Sequence, residues 1–261
     1  AVMIGDTIYD TITEAVKAAQ SGDVITLLKD VAESVTVSKS VTFDLGGHTW
    51  TGASGQTTLT VSGAKEITVK NGTMTAVENC KAVEAKSGTL MLDGVIFTGI
   101  TTKQGAVNLS ASTIDTLTAE ISNCTFTQNV RAIYASKANL TLKSCEIVNN
   151  NNLTWANGAI VYLSSSNTTV TNGKVADNTG VEARVIEAAG GGSLTMDGTE
   201  LSGNISYGVV GTSSSGANIT MKNITATSNV GAASMNSGGS VLNANYIDGK
   251  TVVLENVTAT G

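Results

Sequence analysis

Between Arg131 and Asn150 the chain reads RAIYASKANLTLKSCEIVNN, three short apolar-alternating runs (AIYA, LTL and EIV) parted by polar turns. Near-copies flank it: GAVNLSASTIDTLTAEISNCTFTQN before and GAIVYLSSSNTTVTNGKVADN after. Period-two alternation marks strands with one buried face. Runs this short cannot bury that face alone, so units of this kind must stack. The repeat therefore predicts an all-β solenoid, a parallel β-helix of about nine rungs. Composition agrees: 28 glycines, no proline and 4% aromatic residues suit a narrow interior of small aliphatic side chains.

The polar turn between the second and third strands of each rung gives the register. It falls at Gly46, Asn71, Asp93, Asn123, Ser144, Asn172, Asp197, Asn223 and Asn256, with spacings from 21 to 33 residues. Asn, Asp and Gly suit such corners because they accept left-handed backbone angles. Six residues further on lie Asn129, Asn150, Asn178 and Asn229, with Asn204 displaced by one. Stacked asparagines can hydrogen-bond along the solenoid axis, a structural role.

Residues 1–22 read as an N-terminal cap and 23–261 as the solenoid, together one structural domain. The cap holds a short strand and a helix. Thr11 or Thr13 caps the helix, Ile12, Ala15, Val16 and Ala19 form its apolar face, and Gly22 ends it. A first rung without such a cover would expose its interior and open strand edges. The last rung, TVVLENVTATG, has nothing apolar after it. The abrupt start and end lead us to expect further domains on either side in a longer protein.

A net charge of −6 disfavours nucleic acid and anionic membranes, which need a basic surface. No apolar run approaches the ~18 residues of a membrane span, so no membrane insertion is expected. Of the three cysteines, Cys124 and Cys145 hold the same place in adjacent rungs. Strands ~4.8 Å apart leave two readings, a disulfide or a buried pair of free thiols, and the second is expected. No spacing of Cys or His suggests a metal, and no cofactor is implied.

The opening IGDTIYDTITEAVKAAQSGDVITLLKDVAESVTVSKSVTFDLGGHTWTG, residues 4–52, resembles the start of a β-helix found in large surface proteins of gut Firmicutes. That resemblance implies a right-handed fold of the pectate-lyase-like superfamily and an extracellular, cell-surface or cell-wall-associated bacterial protein. It leaves the chemistry open, because the superfamily holds lyases, hydrolases, tailspikes and non-catalytic adhesins.

Aligning the first strand of successive rungs places Glu84, Asn108, Tyr134, Tyr162, Glu187 and Gly211 in one outward column. Three residues earlier come Lys81, Gly105, Arg131, Ala159, Arg184 and Gly208, so both arginines of the chain share a column. Arg131, Tyr134, Tyr162, Arg184 and Glu187 form the candidate ligand-binding patch. A glycan, of host or microbial origin, can stack on tyrosines and bond to Arg and Glu; a surface protein can use the same pair as an anchor. The competing reading is a solvent-facing sheet with Tyr–Tyr stacking and Arg–Glu pairing. Trp155, in the polar connection NNNNLTWANG, is a further binding candidate. His48 reads as a turn residue, and Trp50 as packed near the cap.

For catalysis the patch is poorly arranged. Glu84 and Glu187 lie four rungs apart, ~19 Å, beyond the ~5–10 Å of a glycosidase pair. No outward Asp pair stands ready for calcium. The expected function is thus a non-catalytic module that binds glycan or protein in an adhesin-like way, or a rigid spacer. The alternative is a polysaccharide lyase or glycoside hydrolase.

Overall fold

The structure, a computed structural model, describes residues 1–63, 65–152, 158–231 and 240–261. It is a β-solenoid of about 8 turns with three parallel sheets. Among the described residues the first sheet stacks Val35–Val37, Leu59–Val61, Val83–Ala85, Val107–Ser110, Ile133–Ser136, 161–164, 186–189, 210–213 and Ser240–Ala244. Those nine strands enclose the turns, in line with the expected rung number. The second sheet passes through Gly88–Thr98, Leu117–Ser122 and Asn139–Lys143, and the third through Thr125–Thr127, Glu146–Val148 and Lys174–Ala176.

Alternation dictates the interior. Val83, Val107, Ile133, Val161, Ile186 and Val210 stack in one buried column, and Ala85, Leu109, Ala135, Leu163 and Ala188 in the next. Few aromatic rings enter. Phe97 and Phe126 stack at 4.9 Å, while Phe43 and Trp50 meet at 5.0 Å near the cap. Trp50 is fully buried, and its Nε1 donates to Glu33 O at 2.7 Å.

The corners depart from the expected register at two positions. Asn71, Asn123, Ser144, Asn172, Asn223 and Asn256 take left-handed angles (φ 50–60°), as expected. In two rungs the left-handed residue is not Asp93 or Asp197 but the following glycine, Gly94 or Gly198 (φ 62° and 63°). Glycine adopts that angle without a Cβ penalty. The aspartates stay in the strand, where Asp93 and Asp197 accept from Asn123 Nδ2 and Asn223 Nδ2, each at 2.8 Å. Counted from Gly198, Asn204 falls six residues on like its counterparts, and the displacement disappears.

The asparagine ladder runs Asn129, Asn150, Asn178, Asn204 and Asn229. Each backbone N–H and side-chain amide donates to Oδ1 of the next, at 2.8–3.1 Å. The first four are essentially inaccessible to solvent. The ladder satisfies buried corner groups that would otherwise be orphaned.

At the N-terminus the structure adds a hairpin to the expected single strand: Val2–Ile4 pairs antiparallel with both Thr7–Tyr9 and Val24–Leu27. The helix Ile12–Ala18 follows, capped by Thr11 in a reciprocal box with Glu14. It ends at Ala18 into an extended Ala19, short of Gly22, which sits in the next turn. Opposite charges fix both its ends. The Glu33 carboxylate accepts from the N–H of Ile12 and Thr13 at 2.8 and 3.1 Å, and Lys39 Nζ donates to the carbonyls of Val16, Lys17 and Ala19. Each charge opposes the helix dipole at its end.

All three cysteines are free and buried. Cys124 Sγ accepts from Val95 N, and Cys145 Sγ donates to Ile121 O. Burial pushes the Cys124 thiol up to about 12 and raises Cys145 as well. They fill one interior column, the second of the two readings.

Candidate functional site

The outward face of the first sheet carries the site. Its register pairs Glu84 with Asn108, Asn108 with Tyr134, Tyr134 with Tyr162, Tyr162 with Glu187, and Glu187 with Gly211. The basic residue three positions earlier folds back over the outward residue of its own rung. Lys81 Nζ lies 3.0 Å from Glu84, and Arg184 Nη1 lies 3.6 Å from Glu187. Where the outward residue is aromatic, the contact becomes cation–π: the Arg131 guanidinium is 5.7 Å from the Tyr134 ring centre and 5.2 Å from that of Tyr162. The two rings stack at 5.6 Å.

Five of the six expected site residues thus share one face. Trp155 lies outside the described residues. Two of the five are less exposed than outward positions suggest, with Arg131 at 3% and Glu187 at 6%. Arg131 is covered because its Nε donates to Ala159 O at 2.9 Å, which lays the side chain along the sheet under both rings. Glu187 is enclosed by Arg184 and by Ser213, whose hydroxyl donates to it. Gly211 makes this possible, since a Cβ there would collide with Cδ and Nε of Arg184. Tyr–Tyr stacking is therefore present, and the Arg–Glu pair forms within a rung instead of between rungs.

Burial lowers the Arg131 pKa to about 10, against the opposing pull of Tyr134, Glu187 and Tyr162, so the guanidinium stays charged at neutral pH. The Tyr162 hydroxyl is pushed up by burial and by Glu187 and Tyr134, and remains protonated.

Next to the tyrosine stack is a cleft of 440 Å³ lined by Glu84, Lys103, Gln104, Asn108, Ser110, Arg131 and Tyr134. Its floor is ordered: Asn108 Nδ2 donates to Gln104 O at 2.7 Å and its Oδ1 accepts from Ser110 Oγ at 2.8 Å. Lys103, Gln104 and Ser110 were not foreseen. Their signal was the interval of 30 residues from Asp93 to Asn123, longer than its neighbours, which lengthens the connections around Val107–Ser110.

Elsewhere the early candidates behave as turn and core residues. His48 Nδ1 sits 3.6 Å from Asp30 at a corner. Glu84 and Glu187 are separated by three strands of the sheet, and each faces its own cation.

A model of the right-handed β-helix region matches residues 83–252, well over half of the chain and all of this face from Glu84 to Asn243. The chain belongs to the right-handed β-helix family. No curated protein and no solved structure matches it. In this β-helix protein the family accounts for the stacked coils and leaves open what the outward side chains do.

Proposed function

We propose that this β-helix is a non-catalytic binding module of a bacterial cell-surface protein, and that it binds a glycan on the outward face of its first sheet. The observation that carries the reading is the cleft beside Tyr134. An aromatic wall suits the apolar face of a sugar ring, and the side chains of Gln104 and Ser110, the latter held in place by buried Asn108, suit its hydroxyls. The cell-surface setting rests on the resemblance of residues 4–52. The separation of the carboxylates, each beside a cation, supports binding over hydrolysis.

Glycan-array binding of the wild type against Tyr134→Ala tests the site. We expect binding to a restricted set of glycans and its loss by tenfold or more in the variant, with the circular dichroism spectrum unchanged. No binding to any glycan, or equal binding by Tyr134→Ala, overturns the proposal. Incubation with polygalacturonate and mixed glycans, with and without calcium, should yield no new unsaturated or reducing ends; their appearance would make the protein an enzyme.

A further inference from the structure

Arg131 puts a cation where water scarcely reaches, with 3% of its surface exposed. Burying a guanidinium is costly unless its contacts offset the loss of water, and apolar replacements of buried charges often leave stability unchanged or raise it. Closing the coil does not require one, because the rungs on either side carry Gly105 and Ala159 at the same position. What Arg131 does touch is the tyrosine pair. With its Nε fixed on Ala159 O at 2.9 Å, the guanidinium lies 5.7 Å from the Tyr134 ring centre and 5.2 Å from that of Tyr162. Tyr162 stacks on Tyr134 at 5.6 Å without lining the cleft itself. The rung on the cleft side is cleared instead: Gly105 has φ 93°, and a Cβ there would stand 2.8 Å from Tyr134 N and 3.2 Å from its Cβ. Tyr134 is thus backed on one side and open to the cleft on the other.

Resting on the glycan reading above, we infer that Arg131 and Tyr162 are positioning residues, which hold the Tyr134 ring in one orientation as a preformed wall for the sugar. A ring already held in its bound rotamer gives up no further freedom when the ligand arrives, and affinity rises accordingly. A planar guanidinium anchored through Nε can serve two rings at once, whereas a lysine ammonium keeps the charge but not the plane. Arg131 contributes geometry to the site, not attraction for a charged ligand.

Isothermal titration with a glycan selected on the array, paired with thermal unfolding and near-ultraviolet circular dichroism, separates the outcomes. Arg131→Met and Arg131→Lys should each weaken binding at least fivefold, and the Tm of Arg131→Met should be no lower than that of the wild type. The tyrosine dichroism of both should fall towards that of Tyr162→Ala, which weakens binding as well. Tyr162→Phe keeps a stacked ring and should recover most of the affinity that Tyr162→Ala loses. Full binding by Arg131→Met or by Tyr162→Ala overturns the inference. Full binding by Arg131→Lys also overturns it, because the charge itself would then be the recognising group. Weakened binding with a lowered Tm in Arg131→Met does the same, since Arg131 would then serve the fold. In each of these cases the glycan reading stands as long as Tyr134→Ala abolishes binding. No glycan binding by the wild type overturns both.

Discussion

At Asn178 the solenoid has a polar side chain with no access to solvent and every bonding direction used. Its N–H and amide donate to Asn204 Oδ1, its amide also to Ile147 O, and its Oδ1 accepts twice from Asn150. Asn178→Ala leaves several of these groups buried and unpaired, at ~1–3 kcal/mol each. We expect a loss of at least ~3 kcal/mol in urea denaturation, against under ~1 kcal/mol for Asn167→Ala on the exposed second sheet. Similar values for the two would show that the ladder is dispensable. Cys124 and Cys145 offer a second check. With both thiols held protonated by burial, iodoacetamide at pH 8 should leave them unmodified in the native protein and alkylate them after unfolding. The ladder and the thiol column were legible in the sequence because each is a fixed offset from a corner. Burial of Arg131 was not. It depends on Ala159 and Tyr162, which lie a full rung away and reach it only through the stacking.

Among the elements, the N-terminal helix is the one whose seven residues cannot persist without outside help. That help comes from Glu33 and Lys39, both supplied by the rung it covers. Glu33→Ala removes the acceptor for two helix N–H groups and should cost about 1–2 kcal/mol. Hydrogen exchange of residues 12–18 should then speed up before that of the rungs. Exchange that is unchanged there would show that packing of Ile12 and Ala15 alone holds the cap. The sequence marks this helix through its capping residue and apolar face. It does not reveal the clamp, because Glu33 and Lys39 lie about twenty residues away.

Another contribution at this scale comes from the first corner. Burial raises the Asp44 pKa, but the Gly46 N–H, the Asn71 amide and Lys70 outweigh it, so the folded value lies below the ordinary 3.8. A depressed carboxylate pKa adds stability above the unfolded value, and that stability is lost as the pH falls through the folded one. Asp44→Asn should therefore lower the urea midpoint at pH 7 and pH 5, and the difference should shrink once the pH drops below 3.8. A constant difference down to acid pH would contradict this origin.

Taken as a whole, the molecule divides its three sheets between scaffold and face. The stacked β-helix was readable because the same alternation recurs in rung after rung, and the outward column of the first sheet follows from it. The cleft was only half readable. Glu84, Asn108, Arg131 and Tyr134 come from the regular columns, whereas Lys103 and Gln104 come from a connection whose path no periodicity fixes. The ligand site proposed above is confined to that face. Amide chemical-shift mapping of the labelled protein, titrated with a glycan selected on the array, tests it directly. Shifts should concentrate at Glu84, residues 103–110, residues 131–134 and Tyr162. Shifts centred on the second-sheet groove around Met91, Asp93 and Glu120 would contradict it.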